Sequence, residues 1–154
     1  MNKIHFLFIV AISMLVIACG TSENSNEKSP EALKADSLYK DVMAGHDVGM
    51  AKMGKLTRAE QASRRLLDSI KKLPAKARQS AEPIRAKLDS LQKDLSYAEF
   101  AMNKWMEEFN MDSPVNNIGQ RIGYLETEKF KVEKVKEAIL GSLQKADSVL
   151  KEKF

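Results

Sequence analysis

"IRAKLDSLQKDLSYAEFAMNKWMEEF", residues 84–109, carries the spacing that decides the fold class. Ile84, Leu88, Leu91, Leu95, Ala98, Met102, Trp105 and Phe109 alternate steps of four and three residues. That is the period of a helix that lays one apolar stripe against partner helices. The positions between them are mostly Lys, Arg, Asp, Glu, Ser and Gln, so one face is dry and the other wet. The pattern predicts a helix over about 81–110. Ser80 is a candidate N-cap and Glu82 suits the first turn, where a negative charge meets the positive end of the helix.

The flanking sequence extends this pattern in both directions. Downstream, Ile118, Ile122, Leu125, Val132, Ile139, Leu143, Ala146 and Leu150 fit the same heptad, with Lys129 and Lys136 at two seam positions. They predict a helix over about 115–153. Upstream, Ser29, Pro30 and Glu31 form a helix start, and the helix runs to about 73, ahead of Pro74. Tyr39, Met43, His46, Met50 and Met53 hold one heptad phase there, which slips by a residue into Leu56, Ser63, Leu66, Ile70 and Leu73. Thr57 and Glu60 have capping-box spacing, which allows a kink near Gly54. No strand-like alternation occurs. The expected architecture is all-α, an antiparallel three-helix coiled-coil-like bundle over residues 30–154, with helices of roughly 50–60 Å. Pairing from the turn near residues 74–80 sets His46 opposite Met106 or Phe109, and Met50 and Met53 opposite Met102 and Trp105. It leaves residues 30–41 overhanging the bundle, either as a stalk or under the 110–117 loop, with Leu33, Leu38 and Tyr39 as an apolar stripe.

The N-terminus gives an address. Lys3 precedes an apolar run from Phe6 to Ile17 that is too short to span a bilayer comfortably, and Val16-Ile17-Ala18-Cys19 resembles a bacterial lipobox. Residues 1–18 are therefore expected to be a lipoprotein signal peptide. Cys19 would carry the acyl chains, and residues 19–29 would form a flexible, Ser-, Asn- and Glu-rich tether. Gly20 after the Cys resembles an outer-membrane sorting signal, with the facing side left open. Cys19 is the chain's one cysteine, so no internal disulfide can form. The net charge is +4, from 25 Lys and Arg against 21 Asp and Glu. These charges are interleaved along the helices, which describes a solvated surface and not a nucleic-acid-binding patch.

The chemistry-bearing residues concentrate in two segments that the bundle sets side by side. After the signal peptide the methionines are Met43, Met50, Met53, Met102, Met106 and Met111, and they accompany the one remaining histidine, His46, and the single Trp105. Gly45, Gly49, Gly119 and Gly123 fall at the same level. Since Gly in a helix interior costs about 1 kcal/mol relative to Ala, their grouping implies a need for room. One explanation is packing: Trp105 needs small neighbours, Met fills the gaps around the ring, and His46 is a seam residue bonded to a backbone carbonyl or Gln120. Another is a soft-metal site for Cu(I) or Ag(I), with His46, Met43, Met50, Met53, Met102 and Met106 as ligand candidates and Trp105 covering the metal. A haem held by Met and His is a third, disfavoured by the narrow bundle and the lack of C-x-x-C-H.

"M-x-x-H-D-x-x-M-x-x-M" at 43–53 and "A-M-x-x-W-M-x-x-F" at 101–109 resemble a family of small, uncharacterised Gram-negative lipoproteins. Its members often carry a "viral A-type inclusion protein" label. Gly45 and Gly49 depart from the bulkier residues of that pattern. The resemblance implies an anchored helical protein and no catalytic residue.

Catalytic signatures are sparse. There is no Gly-rich phosphate loop and no H-E-x-x-H. His46 and Asp47 lie about 100° apart around a helix, so no orienting pair is expected of them. The sequence thus points to a non-enzymatic, membrane-anchored structural or protein-interaction module of the cell envelope. Its partners would be the lipid bilayer through Cys19, an envelope protein of unknown identity and, by self-association, a second copy. A Cu(I)-binding lipoprotein is the alternative, with no other cofactor expected.

Overall fold

The computed structural model describes residues 28–114 and 116–151. The expected signal peptide, Cys19 and all but the last two residues of the expected tether lie outside the described residues. The described chain is helical, with four helices packed together: α1 (Pro30–Lys71), α2 (Ala75–Ser80), α3 (Glu82–Glu108) and α4 (Ile118–Val149). Among the described residues no helix is long and apolar enough to cross a membrane.

Local chemistry sets the helix ends. The Ser29 hydroxyl accepts from the Ala32 amide at 3.2 Å, and Pro30 occupies the first turn, where a missing N–H is harmless. α1 ends at Lys71, because Leu73 precedes Pro74 and is biased away from the α region. Helix α1 does not break at Gly54. α1 runs through 42 residues, and Thr57 Oγ1 donates back to the Met53 carbonyl at 3.2 Å instead of capping a new helix. The expected second helix gains a separate first piece, α2. Ser80 closes α2, and Ala81 joins it to α3 without a side-chain cap. Pro83, two residues on, has no N–H to continue the ladder across that joint. α4 begins at Ile118, later than expected, because Asn117 caps it by accepting from the Gln120 amide at 2.9 Å.

In its N-terminal half the core of α1 follows a different line from the one expected, whereas Leu56, Ser63 and Ile70 are buried as expected. Ala35, Val42, Gly49, Leu56, Ser63 and Ile70 recur at every seventh residue and are all buried, so there is no phase slip. Met43 and Met50 each stand one residue past this line, and Met50 is 38% exposed. In α4 the expected Leu125, Val132, Ile139, Leu143 and Ala146 are buried, and only the seam line assigned to Lys129 and Lys136 is displaced by one residue. The second buried line of α4 is Glu128, Val135, Ser142 and Val149, leaving Lys129 and Lys136 half-buried at the edge in ion pairs with Asp41 and Glu133. In α3 the expected stripe holds, with Leu88, Leu91, Leu95, Ala98, Met102 and Trp105 buried.

Contacts among the long helices fix their alignment. Along α1 and α3, Ser63 donates to the Leu88 carbonyl at 3.4 Å, Glu60 accepts from Gln92 at 2.8 Å, and His46 meets Trp105. Residue numbers fall on one helix as they rise on the other. Along α1 and α4 they rise together, from Lys34–Glu126 at 2.8 Å through Asp41–Lys129 at 2.6 Å to Lys55–Asp147 at 2.9 Å. Residues 30–41 are therefore no free overhang. Ala35 is buried, Leu38 and Tyr39 are half-buried against the core, and Leu33 stays 57% exposed.

Two of the four glycines serve this packing. A Cβ on Gly45 would lie 3.0 Å from Val132 Cγ1, and one on Gly49 would overlap the Met102 methyl and lie 3.3 Å from Ile139 Cδ1. Gly119 and Gly123 are exposed, and a Cβ on Gly123 would meet nothing within 4 Å. The expected four-glycine layer is thus a two-glycine approach on α1.

A polar cluster between α1 and α3 includes the nearly buried Glu60 carboxylate. Its Oε1 accepts from Gln92 Nε2, Ser96 Oγ and Arg64 Nη2, each at 2.8 Å. Burial pushes the Glu60 pKa up, but the bonds from Ser96, Arg64 and Gln92 outweigh it and hold the carboxyl below its ordinary value of 4.5. A carboxyl with a depressed folded pKa adds stability above its unfolded pKa and loses it as pH falls through the folded one. Acid titration of unfolding should therefore show a stability loss beginning near pH 4.5 and continuing below it. Glu60→Gln should flatten that part of the profile, as read by urea unfolding at each pH.

Candidate functional site

α3 ends inside the region that the sequence marked: its last two turns carry Met102, Trp105 and Met106, and Phe109 caps its C-terminus. Trp105 is 5% exposed and lies at the centre of a run of rings. The His46 ring from α1 is 5.6 Å from it and tilted by 38°. Phe109 stacks on the indole at 4.8 Å and 20°, and Tyr124 of α4 follows Phe109 at 6.2 Å and 14°. Ring pairs at 4.5–7 Å add roughly 0.5–1.5 kcal/mol beyond their area burial. The Tyr124 hydroxyl also accepts from the Asn110 amide at 2.7 Å, tying the segment that follows α3 to α4.

The polar centre of this site is Glu128, which sequence reasoning missed. It is 3% exposed, accepts from the Trp105 indole N–H at 3.0 Å, and takes the Lys131 ammonium at 2.8 Å on its other oxygen. A buried carboxylate needs such partners. Glu128 in turn raises the Lys131 pKa, chiefly through this hydrogen bond. The available signal was positional: Glu128 stands three residues after Leu125, in the second core line of α4, where a charged residue must either swing out or find a partner.

The candidate metal ligands differ in burial. Met102 is fully buried, packed over Gly49 and away from solvent. Met53 is half-buried against the core and Met43 half-buried. Met50 and Met106 are each 38% exposed. His46 is intermediate, with its side chain 20% exposed. It faces Trp105 itself, and its Nδ1 pairs with Asp47 Oδ1 at 2.9 Å, not with a carbonyl or Gln120. The expectation that His46 and Asp47 point apart fails because Cβ directions do not limit two side chains that can turn toward each other through their own torsions. Among the described residues no three His, Cys, Asp or Glu side chains gather at one point, so any metal held here would depend on thioethers.

Comparison of the chain with protein-family models, with curated proteins and with solved structures gives no match.

The buried indole–carboxylate bond makes a direct prediction. Glu128→Ala should destabilise the protein by about 1–3 kcal/mol, because the Trp105 N–H loses its acceptor inside the core. Glu128→Gln, which keeps an acceptor oxygen, should cost less. Urea unfolding followed by the emission of Trp105, the chain's single tryptophan, measures both.

Proposed function

We propose that the chain is a non-enzymatic, lipid-anchored protein-interaction module of the bacterial envelope. Three long helices form an antiparallel coiled-coil-like bundle, with α2 as the corner between α1 and α3. The observation that carries this reading is the set of large apolar side chains that the packing leaves unused. Tyr97 and Phe100 on α3 and Phe130 on α4 are 62%, 60% and 65% exposed, on a surface otherwise laced with ion pairs. Side chains of that size at protein surfaces favour contacts with other proteins. The anchor would be acylated Cys19, a short tether away from Ser29. At about 1.5 Å per residue α1 then carries the α1–α2 corner some 60 Å from the membrane attachment, reaching toward an envelope partner.

Metabolic labelling with a clickable fatty acid in a Gram-negative host tests the anchor. The full chain should take up label and fractionate with the outer membrane, and Cys19→Ser should lose both. Photo-crosslinking residues placed at Tyr97, Phe100 and Phe130 should trap an envelope protein. An unlabelled, freely soluble chain that traps nothing would contradict the reading.

One observation favours a soft-metal role as the alternative. Asp47 on His46 Nδ1 is the kind of carboxylate partner that orients a ligating imidazole and fixes which nitrogen faces the metal. His46 would bind Cu(I) through Nε2, joined by Met43, Met50, Met53, Met102 or Met106 under the Trp105 ring. Anaerobic Cu(I) titration of the full chain should then quench Trp105 at near-stoichiometric metal, and His46→Ala with Met50→Leu should abolish the response. Undiminished binding by that variant would remove the reading.

A further inference from the structure

The three long helices are staggered, so each end of the molecule has only two of them. At one end α3 stops at Glu108 while α1 and α4 run past it, and the vacated place is filled from within the chain. Phe109 stacks on Tyr124, the Asn110 amide donates to the Tyr124 hydroxyl, and Arg121 Nη1 donates to the Met111 carbonyl at 3.2 Å. At the other end α4 is the helix that stops. Asp147 pairs with Lys55 and α4 ends at Val149, whereas α1 continues to Lys71, roughly 20 Å further at about 1.5 Å per residue. Among the described residues nothing takes the vacant place. A groove of about 780 Å³ remains there, lined by residues that include Leu66, Ile70, Leu73, Ala77, Ala81 and Ile84.

The surroundings of this groove are strongly basic. Residues 64–87 hold eight Lys and Arg against two acids, Asp68 and Glu82, and residues 71–81 hold four basic side chains and no acid. Glu60 and Asp89 offset Arg64 and Arg85, and Asp68 pairs with Lys71, while Lys72, Lys76 and Arg78 add three positive charges with no acid among residues 71–81. The +4 charge of the whole chain is concentrated at this tip.

We propose that the groove between α1, α2 and α3 receives a short acidic amphipathic helix from a partner protein, in the place that α4 leaves vacant. The proposal rests on the interaction-module reading and names its docking face. The slot is flanked by two helices and floored by Leu, Ile and Ala, the geometry of helix-in-groove recognition. Its basic corner selects for acidic flanks on the incoming helix and speeds their encounter. A second copy would bring an equally basic tip, so like charges would meet.

The test uses the full chain in detergent and a labelled synthetic peptide of about 14 residues, four helical turns. The peptide carries leucine at the heptad a and d positions and glutamate around them, and a lysine-for-glutamate version is the control. Fluorescence anisotropy should show the acidic peptide binding at least tenfold more tightly than the basic one, with affinity falling as salt rises. Leu73→Glu on the groove wall, and Lys72→Glu with Lys76→Glu at the corner, should each weaken binding at least tenfold. All three positions are exposed, so circular dichroism and Trp105 emission should be unchanged. Equal binding of the two peptides, or binding indifferent to these variants, would overturn the proposal. So would a dimer dissolved by Leu73→Glu, or groove-dependent binding to phosphatidylglycerol vesicles in place of the peptide. A chain that is lipidated and cross-links through Tyr97 or Phe100 but ignores the acidic peptide would overturn the groove assignment alone.

Discussion

The closeness of α1 to α4 at Gly45 and Gly49 is the constraint on which the remaining geometry depends. Val132 and Ile139 of α4 and Met102 of α3 occupy the space that side chains on those glycines would fill. Each Gly costs about 1 kcal/mol of helix propensity relative to Ala, and the interdigitated packing of Val132, Met102 and Ile139 offsets it. With α1 and α4 drawn together here, the bulk of the layer comes from α3. Met102 and then Trp105 fill it, and His46 closes over the indole at its edge.

Polar groups inside the bundle then restrict its register. Glu60 gathers Gln92, Ser96 and Arg64 between α1 and α3, and Glu128 joins Trp105 and Lys131 between α3 and α4. A one-heptad slide would take Gln92 and Ser96 away from Glu60 and the Trp105 indole away from Glu128, leaving only the same-helix partners Arg64 and Lys131, an outcome costlier than the loss of an apolar contact. The apolar heptads alone would tolerate such a slide better, since leucine is interchangeable with leucine. Ser63 and Ser142 add little: each donates to a backbone carbonyl, at 3.4 and 3.0 Å.

The helical class and the α3 stripe were legible because large apolar side chains mark every seam position there except Ala98. The N-terminal half of α1 was misread by one residue for a physical reason. Its core line there is Ala35, Val42 and Gly49, with little bulk, while the conspicuous methionines at 43 and 50 stand just outside. α4 hides its second line in the same way behind Glu128 and Ser142. A hydrophobicity pattern detects bulk, and where helices approach closely the contact positions carry none. The site was legible as a neighbourhood, since Met102, Trp105 and His46 do gather. Its organising group was not, because a buried Glu looks like a solvated one until its partner helix is in place. The short α2 was missed as well. Pro74 and Pro83 read as a single turn, yet nothing in the residues between them opposes one helical turn and a half.

The most direct measurement is the unfolding free energy of two variants at adjacent positions, Gly49→Leu and Met50→Ala, by urea denaturation. If α1 buries its glycine line against α4 and α3, Gly49→Leu should lose at least about 1–3 kcal/mol from overpacking. Met50→Ala, at a surface position, should change stability by roughly 0.5 kcal/mol or less. A tolerated Gly49→Leu beside a strongly destabilising Met50→Ala would contradict the packing described and return the methionine face to the core.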